Sequence, residues 1–279
     1  MENFVYIIAA IEEAEFTIWS LLTQEARIME LELKDRVALI TGSSRGIGAA
    51  SATALAHHGA TVVINYIKSK DKAQELLDEI KKTGGKGAVY QADVRNQDAV
   101  NEMVESTLNE FGKIDVLVNN ANINFPIRPF MELTWDQIET KILGEMKALY
   151  NCSQAVLKDM LGRKSGKLIF VSSSLSRFPG FGFSAHAAAK SAMDGMAKVM
   201  AMELGPSGIT VNVVGPGLTL TDATAGQPKE VHEQVAAITP LRRLGMPDDI
   251  AGVVLFLASS LSDYLNGEYI PVTGGSFMI

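Results

Sequence analysis

Short, unbroken apolar runs recur along this chain with room for one helix between each pair, and few architectures accept that pattern. Val37-Ala38-Leu39-Ile40 opens the series, and Thr61–Asn65, Gly87–Gln91, Val116–Asn119, Lys167–Val171, Thr210–Val214 and Tyr269–Val272 continue it. A run that is apolar at successive positions, instead of at alternate ones, reads as a strand covered on both faces, as in a parallel sheet. Between the runs the apolar spacing becomes helical: Ala73, Leu76, Leu77 and Ile80 mark a helix over Lys70–Lys82 that stops at Gly84-Gly85. Further helices are expected over Ile47–His58, Asp98–Phe111, Trp135–Met160, Ser184–Leu204 and Pro247–Leu257. Repeated strand, helix, strand order needs crossovers of one hand. The expectation is therefore a single α/β domain, a doubly wound parallel sheet of about seven strands with helices on both faces.

No linker interrupts the alternation, so the 279 residues divide only into an N-terminal extension, 1–33, and one domain, 34–279. In the extension, Phe4–Ile11 is too short to span a bilayer and follows Glu2, not a basic region, so neither an anchor nor a signal peptide is expected. Glu12–Ile28 spaces Phe16, Ile18, Trp19 and Leu22 as an amphipathic helix, while Met29 is a natural beginning for the domain. An interaction helix and an upstream addition both remain open. The net charge of −7 comes from scattered acids, with no basic stripe, which excludes nucleic acid as a partner. Cys152 is the only cysteine; it falls in a helical pattern and reads as an inert, buried thiol of a cytoplasmic protein. His57, His58, His186 and His232 show no ligand spacing, so no metal is expected.

The first strand runs directly into Thr41-Gly42-Ser43-Ser44-Arg45-Gly46-Ile47-Gly48 and then a helix. In that context the glycines permit a tight turn and let backbone amides approach a pyrophosphate at the helix N-terminus. The sheet is thus Rossmann-like, with a G-x-x-x-G-x-G spacing in place of G-x-G-x-x-G.

Several further pieces follow in order: Asp93-Val94, Asn119-Asn120-Ala121, Ser173, Lys190, Asn212, Pro216-Gly217, Thr221, and the stretch from Pro240 to Ala251. With the glycine turn, they make residues from about Leu33 to Gly275 resemble a short-chain dehydrogenase/reductase. The resemblance is nearest the branch of 3-oxoacyl-[acyl-carrier-protein] reductases and glucose dehydrogenase-like enzymes. It implies that Gly42, Ser44, Arg45, Gly46, Ile47 and Gly48 cradle a dinucleotide, Asp93 and Val94 flank its adenine, and Asn120 lies against a ribose. Lys190 would hold the nicotinamide ribose, Pro216, Gly217 and Thr219 would line the nicotinamide, and Thr221 would sit near the phosphates. It further implies a carbonyl substrate, small or an acyl thioester, under a lid at Thr221–Leu241, and a homotetramer formed by the long helices and the C-terminal stretch. An acid at the end of the second strand would repel a 2′-phosphate. This strand ends in Asn65-Tyr66, and Arg45 supplies a cation in the turn, so NADP(H) is expected over NAD(H).

The pattern departs from the family where chemistry is done. His186 stands where the resemblance places a proton-donating tyrosine, and Glu145 where it places a helical asparagine. Asn122 replaces a turn glycine and Thr273 an aspartate. Ser173, His186, Lys190 and Glu145 are the candidate catalytic set. Three readings follow: a reductase with His186 as general acid, a silent cofactor-binding subunit, or a non-redox lyase or isomerase using Glu145 and His186. Glu145 could orient His186 or pair with Lys190.

Overall fold

In a computed structural model, which describes residues 31 and 33–278, the apolar runs pair as seven strands. These are β1 (Val37–Ile40), β2 (Thr61–Tyr66), β3 (Lys86–Gln91), β4 (Val116–Asn119), β5 (Gly166–Val171), β6 (Ile209–Pro216) and β7 (Tyr269–Val272). The helices between them are α1 (Gly46–His57), α2 (Lys70–Lys82), α3 (Gln97–Phe111), α4 (Trp135–Arg163), α5 (Ser184–Leu204), α6 (Lys229–Ile238) and α7 (Pro247–Ala258). The sheet order is β3-β2-β1-β4-β5-β6-β7, and every pairing is parallel.

Burial explains the composition of the runs. Every residue of β1, β4 and β5 is buried, as expected for strands covered on both faces, whereas edge strand β3 carries exposed Lys86 and Gln91 at its ends. Leu39, Leu117, Leu168 and Phe170 pack into one cluster with Cys152, Val156 and Met160 of α4. On the other face the alanine-rich α1 lies against α7. Local signals set the ends of helices. The Asn96 side chain accepts from the amides of Asp98 and Ala99 to start α3, and Gly112 stops it at φ 81°. Thr134 and Gln137 form a capping box at the start of α4, which runs three residues past the expected Met160.

Leu33, assigned from the sequence to the extension, belongs to the domain: it is 1% exposed and its amide donates to His58 O at 2.7 Å. The helix expected over Glu12–Ile28 lies outside the described residues. Among those described, no helix is long and apolar enough to cross a membrane.

The chain reverses direction across the sheet between β1 and β4: β2 and β3 lie to one side of β1, and β4 to β7 to the other. At such a switch point the connections leave in opposite directions and open a cleft at the carboxyl strand ends.

Candidate active site

The glycine turn closes over the end of β1. Gly42 and Gly46 both have positive φ, 61° and 58°, a region that costs other residues strain. Gly48 is required for a different reason: a Cβ there would lie 2.5 Å from Asn120 Nδ2 and 2.8 Å from Ser43 Cα. Asn120 itself braces the turn, donating to Thr41 O (2.9 Å) and Gly42 O (3.1 Å). Thr41 Oγ1 in turn accepts from the amides of Asn120 and Ala121, both at 3.0 Å. Arg45 stands exposed at the N-cap of α1 and makes no side-chain cap, while Ser44 and Ile47 are half-buried. The first amides of α1 thus face the cleft with the positive end of the helix dipole behind them.

Asn65 is buried, and its amide is spent within the protein. Its Oδ1 accepts from the Gly42 amide at 3.0 Å and its Nδ2 donates to Ala92 O at 3.0 Å. It fastens the turn from behind. Asp93 is gripped by Arg95 through Nε (2.9 Å) and Nη2 (2.6 Å), and these hydrogen bonds hold its carboxyl below the usual range. Val94 is buried with its carbonyl accepting from Asn151 Nδ2 at 3.1 Å.

Beside this rim lies a chain of buried charges. Lys141 Nζ is fully buried and donates to Asn122 Oδ1 (2.7 Å), Ile123 O (2.7 Å) and Glu145 Oε1 (2.5 Å). Glu145 also accepts from the Ile123 amide at 3.0 Å, and its Oε2 receives Lys190 Nζ at 3.1 Å. Lys190 donates further to Val171 O at 3.0 Å. Of the two partners open to Glu145 in the sequence, it therefore takes Lys190. Burial alone would raise the Glu145 carboxyl; Lys190 and Lys141, together with the Lys141 hydrogen bond and the Ile123 amide, overcome this and hold it down to about 2. Desolvation pulls Lys141 down to about 8 in spite of Glu145.

His186 is 8% exposed and stacks on Phe125, with ring centroids 4.5 Å apart and planes 16° from parallel. Its buried Nδ1 has no hydrogen-bond partner. Desolvation, then the charges of Lys190 and Lys141, push its pKa down to about 3 against the opposing pull of Glu145. At neutral pH the ring is neutral. The imidazolium that a general acid requires is the form this environment disfavours.

Ser173 follows β5, with its Oγ accepting from the Leu175 amide at 3.2 Å and its carbonyl accepting from Tyr269 Oη at 2.9 Å. Pro216 ends β6 and Gly217 follows it beside β7, where the Gly217 amide donates to Val272 O at 3.0 Å. Thr219 is buried with its Oγ1 donating to Gly217 O at 3.1 Å. Thr221 sits over the glycine turn, its Cγ2 3.4 Å from where a Cβ on Gly46 would be. Cys152 is buried, which pushes its thiol up to about 12 and leaves it inert.

Sequence reasoning missed Lys141 and Phe125. One signal was available: Lys141 falls four residues before Glu145, on the stripe that continues through Ala148, Leu149 and Cys152. A lysine and a glutamate one turn apart can pair, and a paired lysine is the kind that an otherwise apolar face buries.

A doubly wound sheet, a G-x-x-x-G-x-G turn at its switch point, and a serine and a lysine placed after β5 and on α5 together define a short-chain dehydrogenase/reductase. The family model for Enoyl-(Acyl carrier protein) reductase matches residues 42–276, and the chain belongs to the short-chain dehydrogenase/reductase family. It is 39% identical over 247 residues to the 3-oxoacyl-[acyl-carrier-protein] reductase FabG of Staphylococcus epidermidis, covering 88% of this chain and 100% of that protein. A dehydrogenase/reductase from Sinorhizobium meliloti 1021 superposes with a TM-score of 0.84 at 31% identity, over 91% of this chain and 100% of the other. A gluconate 5-dehydrogenase from Burkholderia cenocepacia J2315, solved in complex with NADP and tartrate, superposes with a TM-score of 0.83 at 31% identity, over 88% and 97% of the two chains.

Proposed function

We propose that this chain binds NADP(H) at the switch point and descends from 3-oxoacyl-type carbonyl reductases. In this reading it has given up efficient proton delivery and serves as a cofactor-binding subunit. The residues present fit the cofactor: α1 begins without a side-chain cap, and its first turn has no room for a Cβ at Gly48. Gly42, Ser44, Arg45, Gly46, Ile47 and Gly48 would hold the phosphates, with Asp93 and Val94 at the adenine and Asn120 and Lys190 at the riboses. Pro216, Gly217 and Thr219 would line the nicotinamide end, with Thr221 near the phosphates. Arg45 and the acid-free end of β2 support the phosphorylated cofactor, as does the NADP complex of the Burkholderia relative. The relationship to a 3-oxoacyl-[acyl-carrier-protein] reductase supports an acyl-thioester carbonyl as the ancestral substrate. Exposed Leu143 and Tyr150 on α4, with Val199 and Met202 on α5, support a homotetramer, which sedimentation would read directly.

When bound, the reduced cofactor supplies a hydride to a carbonyl carbon. The protein must then polarise the carbonyl and deliver a proton to its oxygen. Ser173 Oγ is the candidate for the first task. For the second, His186 stands where the family has a phenol, and a neutral imidazole is a poor acid. The observation that carries the proposal is this ring, buried, stacked on Phe125 and held down to about 3. The same values speak against a Glu145/His186 acid–base pair, since a carboxylate near 2 and an imidazole near 3 are both feeble bases.

The test is a fluorescence titration with NADPH and NADH beside NADPH oxidation on acetoacetyl thioesters. NADPH should bind more tightly than NADH with little turnover, and His186→Tyr combined with Glu145→Asn should raise reduction, by up to about 10²–10⁴-fold. A fast wild-type reductase whose rate falls through a histidine-like pKa would overturn the proposal.

A further inference from the structure

Lys72, in the first turn of α2, donates to Asp222 Oδ2 at 2.7 Å across 150 residues of chain. The two ends lie on opposite sides of the cleft: α2 follows β2, whereas Asp222 is the second residue of the lid after β6. The turn that presents Asp222 is tied at several points. The Leu220 amide donates to Gly245 O (2.9 Å), the Thr221 amide to Thr224 Oγ1 (2.9 Å), and Thr224 Oγ1 to Thr219 O (2.6 Å). Thr221 rests on the glycine turn at Gly46, next to Arg45. The Lys72 hydrogen bond, with the charge of Arg45 adding to it, holds the Asp222 carboxyl below the usual range. Both partners are about half exposed, 53% and 49%, so the bond is of the weak, exchangeable kind.

We propose that Asp222 is a specificity-determining residue: its carboxylate occupies Lys72, which with Arg45 supplies the cations for a 2′-phosphate, and must surrender it before a phosphorylated cofactor is held. The inference rests on the NADP(H) reading. A phosphate carries up to twice the charge of a carboxylate and more acceptor oxygens, so it wins the exchange. A cofactor without the 2′-phosphate leaves the bridge closed. Phosphorylated cofactor therefore frees the lid tip, and unphosphorylated cofactor does not.

Calorimetry with 2′,5′-ADP and 5′-AMP separates this from the chemistry of the nicotinamide end. Asp222→Asn should tighten 2′,5′-ADP by about two- to fivefold, the range of one exposed ion pair, and leave 5′-AMP unchanged. The gain should vanish in a Lys72→Met background and shrink at about 1 M salt. Hydrogen exchange of the amides at 220–226 should quicken with 2′,5′-ADP and not with 5′-AMP. Weaker 2′,5′-ADP binding by Asp222→Asn, or equal shifts for both ligands, would show instead a clasp that closes on any cofactor. A wild type that prefers 2′,5′-ADP while Asp222→Asn does not respond sinks only this inference; a wild type without that preference sinks the NADP(H) reading as well.

Discussion

Replacing His186 with phenylalanine tests the electrostatics of the site without opening a cavity, because a second ring can keep the stack on Phe125. A histidine held at about 3 in the folded protein, against an ordinary 6.5, binds fewer protons folded than unfolded throughout that interval. Its contribution is complete above pH 6.5 and is lost as pH falls towards 3. At pH 4.5, two units below the ordinary value, the loss is about 3 kcal/mol at about 1.36 kcal/mol per unit. Glu145, held at about 2 against 4.5, also loses stability with acid, but pH 4.5 only reaches the upper end of that interval and its share is well under about 1 kcal/mol, so the histidine dominates. Urea unfolding at pH 7.5 and 4.5 reads the difference directly. The wild type should lose about 2–3 kcal/mol more than His186→Phe between the two conditions, about 1 M in midpoint for a slope of about 2–3 kcal/mol per molar. Equal acid losses in the two proteins would mean that the imidazole titrates normally and that the ring is not held neutral by its surroundings. Residual ketone reduction at pH 7 should be the same in both; a drop of about 10²-fold or more would make His186 the acid after all.

Glu145→Gln removes the anion between two buried ammonium groups and should cost about 3–5 kcal/mol, a fall in Tm of about 6–20 °C by calorimetry. Adding Lys141→Met should return part of it, because the unpaired charge leaves with the side chain. Gly48→Ala should cost about 1–3 kcal/mol and abolish NADPH binding by titration, since the new methyl group meets backbone at Ser43 as well as Asn120.

Most of the fold was legible because the signal was local. Strands buried on both faces must be apolar throughout, and α2, α5, β4 and β7 begin and end where their residues say. Caps and left-handed stops fixed other boundaries, although the last turn of α4 was hidden in Leu161-Gly162-Arg163, where a glycine interrupts the helical pattern. The rim of the site was legible for the same reason, through glycines whose absent side chains matter. What escaped were properties that exist only after folding. Asn65 looks like a strand end until its amide turns back on Gly42. Lys141 looks like a surface lysine until the segment at Asn122 and Ile123 covers it. The titration of His186 depends on desolvation and on two lysines, 45 and 4 residues away in sequence, and no local pattern carries it.

Tyr269 donates to the carbonyl of Ser173 from 96 residues further along the chain, and Arg177 lies 4.5 Å over its ring. During synthesis the glycine turn, β1 and β4 emerge early and can pair at once, whereas the serine corner lacks its prop until β7 has left the ribosome. A nascent chain arrested after β6 would thus carry a formed turn at the phosphate end and a slack corner at the carbonyl end, so the ability to hold a nucleotide precedes the ability to position anything beside it.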